Sequence, residues 1–549
     1  MTSEKADSRS LTHEDAARTS GLADWLMPSI ADVLFLRFFF VALRDGSRLL
    51  GDGDTGWHIV TGETILDTFK IPYTDPYSHT MPGSSWTSHE WLADVVLAAF
   101  HRLMGLNGVV LLSGTLIALT FFFLFRFMVH RKVSAVTAAF FTIIAAWAST
   151  LHWLARPHVF SFLLTLAFIV ILELYQREKI NYLKFLPLLM LAWVNLHGGY
   201  VIGLILIFLY AGGNLLLSVT AQQKREEAKK NFRALGIIAL LSTLVTFVNP
   251  HGPAILYFPF HNVGQNYLMD VISEWQSPNF HKYVIFEFML LVIIVTFVLS
   301  RRKPDVFEGG VALLLTHMAL FSARFIPLFA ILLTPSAAVR AGGVLDRLAL
   351  QMTRVRGVKE ISNISKKISE NVTTLEMRFN RHLWVYVGIV LSFVICLNDG
   401  RLGKIQLVDA RHDKNEFPVD ALEFARTNGI SGNMFNNDLW GGYIIYKSYP
   451  HYKVFMDGRS DMYGAAFVKE YVKIVKVDLD YENVLNKYDV TWVIFNANFP
   501  ICRHLEASGN WKLVYADTTA NILLKDIPEN RELIEKYKGT TFIPRDEKD

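Results

Sequence analysis

Apolar residues in this chain gather in blocks of about 18–22, the length of helix that crosses the hydrocarbon core of a bilayer. Backbone groups inside lipid find no water to bond, so such a run folds as a helix. Eleven runs can be drawn, at about 25–43, 107–129, 134–153, 158–176, 183–197, 199–219, 234–249, 283–300, 308–323, 325–340 and 383–398. They predict an α-helical polytopic membrane protein of about 11 transmembrane helices. Composition agrees: 52% of the 549 residues are hydrophobic and 19% charged, against roughly a quarter charged in soluble chains. A wholly soluble enzyme, a disordered chain, a coiled coil and a disulfide-framed secreted scaffold are excluded. Cys396 and Cys502 fall in unlike parts of the chain and are not expected to pair. A net charge of +4 is no footprint of nucleic-acid binding.

Basic residues set the orientation. Arg131 and Lys132 follow the second run, Arg177, Lys179 and Lys184 the fourth, Lys224, Arg225, Lys229 and Lys230 the sixth, and Arg301, Arg302 and Lys303 the eighth. The stretch 340–382 after the tenth is the longest basic one, whereas the alternate loops hold mainly Arg156, Lys282 and Arg324. Under the positive-inside rule every basic loop fits one topology, with a cytoplasmic N-terminus and an extracytoplasmic C-terminus in the plasma (inner) membrane. Residues 1–24 then form a polar cytoplasmic tail, with no cleavable signal following it. Residues 25–399 form the membrane body, with a large first extracytoplasmic loop at 45–106. Residues 400–549 have nearly balanced charge and form a small extracytoplasmic α/β domain. Its strands are expected at Lys453–Met456, Thr491–Phe495, Lys512–Tyr515 and Ala520–Leu524, alternating with helices at Val419–Arg426, Gly464–Val475 and Asn483–Lys487.

Sorted by side, the polar residues gather outside. The first loop reads Gly51-Asp-Gly-Asp-Thr-Gly-Trp-His58, which places Asp54 to cap a helix over about 55–69 with Trp57 and His58 one turn on. That helix is expected to lie along the membrane surface, with Trp57, Ile65 and Phe69 among its apolar positions. Asp52 and Asp54 form a D-x-D pair; a divalent metal held by both and a histidine is one reading, though oxygen-ligand sites need more ligands than the sequence names. Thr74-Asp-Pro-Tyr-Ser78 is a turn, and Trp86-Thr-Ser-His-Glu-Trp91 follows it. His89-Glu90 fails as a zinc-protease pattern because position 93 is alanine. Glu90 reads equally as the partner of Thr87 in a capping box and as a chemical group. Other outward run ends carry Arg156 and His158, Asn195 and His197, His251, Glu274 and Arg324.

No phosphate-binding loop for a nucleotide and no G-x-S-x-G nucleophile elbow is present. An outward-facing group transfer then needs a donor that arrives through the membrane already activated, as a lipid-linked phosphate sugar does. Arg156 or Arg324 can hold its phosphate with a fork of donors. Asp54 or Glu90 can take the proton of an acceptor hydroxyl, its pKa raised by partial burial.

An acidic residue soon after the first span, followed by aromatic and histidine residues on a first-loop helix, resembles the GT-C superfamily of membrane glycosyltransferases. The resemblance rests on Gly51–His58, with Arg156-Pro157-His158 and Asn195-Leu-His-Gly198 in support, and extends to the layout of most of the chain. It implies a GT-C-like fold with a C-terminal extracytoplasmic domain and a polyprenyl-phosphate or polyprenyl-diphosphate sugar donor. By the same resemblance Asp54 matches the catalytic acid of the first loop, with Asp52 as the alternative, and Glu274 matches the later-loop acid of oligosaccharyltransferase-like members. The Trp-Trp-Asp acceptor motif of oligosaccharyltransferases is absent; Asn436-Asn-Asp-Leu-Trp-Gly-Gly-Tyr443 and Phe455-Met-Asp-Gly-Arg459 stand instead. The departure points to a single-sugar or polymer transferase, with Asp457 and Arg459 as acceptor contacts. A transporter or flippase of a lipid-linked or small polar substrate, and a non-enzymatic membrane assembly protein, are the competing readings.

Overall fold

A computed structural model describes residues 21–263, 266–352 and 358–543. A helix stands at each of the eleven apolar runs. Six helical stretches are long and apolar enough to cross a membrane: Asp24–Arg44, Trp91–His130, Ala135–His152, His158–Glu178, Tyr200–Thr220 and Ala323–Leu348. Asn363–Arg378 and Leu383–Leu397 add a seventh if taken as one span, but they meet at a bend of 63°. Phe185–Leu196, Val284–Leu299 and Val306–Phe321 are apolar but shorter. Between the helices runs one continuous apolar core, in which Phe35, Phe39, Phe121 and Phe125 are fully buried.

The first loop is more helical than its sequence suggests. Asp54–Thr68 is a helix, and the 40-residue stretch Trp91–His130 is two helices joined at Gly105, whose φ of 58° is open to a residue without Cβ. The run expected at 107–129 is therefore only the second of these two. Phe69, expected on the apolar face of the first-loop helix, ends it in a left-handed conformation and is 90% exposed.

The C-terminal region carries a four-stranded sheet flanked by helices. Its strands lie in the order Asn433–Asn436, Val490–Asn496, Ala520–Lys525, Trp511–Ala516, the first pair parallel and the others antiparallel. Met434, Trp492 and Ile494 pack on one face, and Phe435, Val493 and Phe495 on the other, so both faces are covered. Lys453–Met456, expected as a strand, is not in this sheet; Val454 makes an isolated bridge with Ser78 of the first loop instead. One of the two edge strands, Asn433–Asn436, is too short to show a clear alternation in sequence.

The first loop and the C-terminal region meet through glycines. A Cβ on Gly56 would lie 2.2 Å from the Gly442 carbonyl oxygen, and one on Gly53 2.2 Å from that of Leu439. The helices Asp54–Thr68 and Asp438–Ser448 thus touch backbone to backbone, which only glycine permits.

Candidate active site

Asp54 is the first residue of its helix, and Gly53 occupies the capping position. The cap expected of Asp54 falls to Asp52, whose Oδ1 accepts the Asp54 N–H at 2.9 Å. That leaves the Asp54 carboxylate free to face Arg156, which sits just before the helix His158–Glu173. The Arg156 guanidinium reaches three carboxylates: Asp52 Oδ2 at 2.6 Å, Asp54 Oδ2 at 3.1 Å and Glu274 Oε1 at 3.4 Å. Glu274 lies in the turn Ser273–Trp275, so residues far apart in sequence converge.

Their environments pull the acids apart. Burial, with the neighbouring Asp52, pushes the Asp54 carboxyl up to about 7 against the pull of Arg156. Burial also opposes ionisation of Glu274, but Arg156 and Arg324 outweigh it and hold that carboxyl at about 2. Two acids close together, one poised near neutrality and one always ionised, are a pattern that suits a base beside an electrostatic stabiliser.

A second cluster surrounds Glu90. Its carboxylate caps no helix; the box with Thr87 is not formed, and its oxygens face His58 Nε2 at 3.7 Å, His89 Nε2 at 3.5 Å and His197 Nε2 at 3.5 Å. Burial disfavours the Glu90 anion, yet His89 and His197 hold its pKa well below the usual carboxylate range. His58 Nδ1 lies 2.6 Å from Asp94 Oδ1, and burial keeps this imidazole neutral down to about 3. His197 Nδ1 accepts the Gly199 N–H at 2.9 Å, so its Nε2 carries the proton aimed at Glu90. Burial likewise lowers His197 to about 3. The His197 ring is 6.4 Å from that of His158, whose Nε2 donates to the His152 carbonyl at 2.7 Å.

The remaining expected residues are placed differently. Asn195 is filled by protein: its Oδ1 accepts from Trp91 Nε1, and its Nδ2 donates to the Leu191 and Val248 carbonyls. His251 lies against Tyr73, with ring centres 5.4 Å apart. Arg324, in the turn Ala323–Phe325, is half-buried and makes no hydrogen bond or ion pair among the described residues. Asp457 and Arg459 bind each other, Arg459 Nε and Nη2 donating to Asp457 at 2.8 and 2.6 Å, and Arg459 Nη2 also meets Asp75 of the first loop at 2.8 Å. This fastening brings Gly458 so close that a Cβ there would lie 1.9 Å from Asp54 Oδ1. The C-terminal region thus forms a wall of the Asp54 site.

Sequence reasoning did not find Asp94, Asp75, His152 or Gly458. Asp94 stands one helical turn after Glu90, a spacing that could have marked it. Asp75 and Arg459 are 384 residues apart, and no local signal joins them.

The D-x-D reading of a metal centre does not fit. Among the described residues no group of three or more His, Cys, Asp or Glu is arranged to hold an ion. The three carboxylates that could offer oxygen ligands, Asp52, Asp54 and Glu274, are instead spaced around a guanidinium.

No protein-family model matches the sequence, and no curated protein matches it. Solved structures do. The Archaeoglobus fulgidus oligosaccharyltransferase AglB, in complex with an inhibitory peptide and a dolichol-phosphate, superposes with a TM-score of 0.55 at 12% identity, over 91% of this chain and 74% of that one. The A. fulgidus oligosaccharyltransferase tethered to an acceptor peptide gives 0.51 at 13% identity, over 90% and 74%. ArnT from Cupriavidus metallidurans, bound to undecaprenyl phosphate, gives 0.45 at 14% identity, over 90% and 97%. The chain therefore shares the fold of the A. fulgidus oligosaccharyltransferases.

Proposed function

We propose that this protein is a multi-pass membrane glycosyltransferase that moves a sugar from a polyprenyl-phosphate-type carrier to an acceptor hydroxyl on the extracytoplasmic side. The observation that supports this reading is the meeting of Asp54, Arg156 and Glu274 beside the histidine-ringed Glu90. In the step, the acceptor oxygen attacks the sugar's anomeric carbon and gives its proton to Asp54. The bond from that carbon to the phosphate oxygen breaks, and the carrier phosphate leaves with the electron pair, inverting the anomeric centre. Arg156 keeps Asp54 oriented and partly ionised, while Asp52 fixes the helix end beneath it. The topology read from the basic loops, with the C-terminal region outside, belongs to this proposal.

Mass spectrometry of lipid-linked sugars and surface glycans, with and without the protein, tests it. Loss of the protein is expected to accumulate one lipid-linked sugar and to deplete one glycan; unchanged pools would overturn the proposal.

Two finer outcomes follow from the geometry. Because the carboxylate is the active form, transfer is expected to climb as pH rises through about 7. Asp52→Asn removes one cause that raises Asp54, so the midpoint of the rate–pH curve is expected to move down. An unmoved midpoint would show that the titrating group is not Asp54. Gly458→Ala drives a methyl into the Asp54 carboxylate. A shift of this size at a reacting group costs about a hundredfold in rate, to be read as turnover in purified protein of unchanged thermal stability.

A further inference from the structure

We infer that the helix Val358–Arg378 lies in the plane of the bilayer surface on the side away from Asp54, with an apolar stripe in the acyl chains and its lysines on anionic headgroups. Its bonds fix which end of the helical bundle it covers. Glu376, 1% exposed, accepts the Ile30 and Ala31 N–H groups at 2.6 and 3.4 Å and the Arg126 guanidinium at 3.2 Å. Thr373 accepts the Ala135 N–H at 3.0 Å. Ile30 and Ala135 begin their helices and Arg126 lies near the end of its own, whereas Asp54 follows the far end of Ile30–Arg44. Past Arg378 the chain bends by 63° into the apolar helix Leu383–Leu397, and at the bend His382 Nδ1 lies 3.0 Å from Asp32 Oδ1. The helix is thus fastened directly to the ends of membrane-crossing helices.

Its sides are sorted in the reverse of what water would favour. At 3.6 residues per turn Ile364, Ile368 and Leu375 fall within about 40° of one another, and they are 60%, 54% and 48% exposed. The side turned to the bundle is polar instead, carrying Thr373 and Glu376. A helix surrounded by water would turn the isoleucines inward and leave threonine and glutamate outside. A third side carries Lys366 and Glu370, both exposed. One side therefore meets protein, one suits water, and one needs an apolar medium, which the leaflet at the ends of the adjoining spans supplies. Charge favours anionic lipid there. Lys366 and Lys367 make no ion pair among the described residues, and residues 340–382 hold nine arginines and lysines against four acids. Basic residues beside a span draw anionic headgroups towards them. In the topology proposed above this is the cytoplasmic leaflet.

The test uses the full chain in nanodiscs of phosphatidylcholine and phosphatidylglycerol at one fixed ratio, with brominated acyl chains carried by one lipid or the other. Cys396 and Cys502 are buried, so a fluorophore attaches selectively to an introduced cysteine. The positions chosen, Ile364→Cys, Ile368→Cys and Glu370→Cys, are all exposed and leave the packing intact. Labels at 364 and 368 are expected to be quenched by bromine about threefold more strongly than the label at 370, because the apolar side of such a helix sinks about 5–10 Å into the boundary of the acyl chains. Bromine on phosphatidylglycerol should quench about twofold more than bromine on phosphatidylcholine, and Lys366→Gln combined with Lys367→Gln should level the two. Labels at 364 and 368 that stay unquenched would overturn the bilayer as occupant, in favour of a protein partner or a second copy of this chain. Equal quenching at 370 would refute the sorting of sides. Equal quenching by the two lipids, or a preference that survives loss of both lysines, would refute the anionic contact. None of these outcomes depends on the transferase reading.

Discussion

Asp54→Asn is expected to lower sugar transfer by about 10²–10⁴-fold, the range for removing a general base, while leaving the protein folded. The amide keeps the size of the carboxyl and copies its protonated form, which burial already populates at neutral pH. Asp52 and Glu274 remain as partners for Arg156, so no charge is stranded. The loss should appear in kcat, with donor binding nearly unchanged, because the proton is taken only in the transition state. Glu90 is the competing base, and the two environments decide between them. Histidines hold Glu90 ionised with a pKa well below the usual range, which makes it a weak proton acceptor, whereas Asp54 near 7 is matched to neutral pH. Wild-type turnover in Asp54→Asn together with its loss in Glu90→Gln would reverse the assignment.

What the sequence could and could not tell follows from how far each constraint reaches. The helices were legible because lipid demands an unbroken apolar run, a requirement written in consecutive residues. Asp54, Arg156, Glu274 and Arg324 were legible as charges at the run ends opposite the basic loops, and a shared side brings such residues near one another. Their pairing was not, since Arg156 and Glu274 are 118 residues apart and meet only through packing. His152 is hidden inside the apolar run 134–153, and its unpartnered nitrogen shows only in three dimensions. Lys453–Met456 has a strand's composition, but its neighbours are the first loop, with the His79 N–H donating to the Val454 carbonyl at 3.1 Å. Local β-propensity reports a half-buried extended segment and not which segment it pairs with. The capping reading of Asp54 failed by a shift of two residues: Asp52 and Asp54 flank a glycine, and either could have served as the cap.

Arg459→Met is expected to destabilise the join between the C-terminal region and the first loop by about 3–5 kcal/mol, the cost of stranding one side of a buried ion pair. Arg459, Asp457 and Asp75 are all almost fully buried, so solvent does not screen the loss. The guanidinium also lies over Trp86 and Tyr77, at 4.6 and 5.0 Å from their ring centres. Arg459→Lys should recover little, because one ammonium cannot reproduce the fork that binds both Asp457 oxygens. Adding Asp457→Leu to Arg459→Met should recover much of the loss. It removes the stranded carboxylate, and Asp75 still accepts from the Tyr77 and Ser78 N–H groups and the Ser78 hydroxyl. Arg426→Gln, at an exposed pair with Glu423, is the control expected to change nothing measurable. Thermal unfolding in detergent, read with protease cleavage between membrane body and C-terminal region, separates these variants. Equal melting of Arg459→Met and wild type would mean that the glycine contact of the Asp54–Thr68 and Asp438–Ser448 helices carries the join alone. Activity should then survive too, since Gly458 would still be held against Asp54.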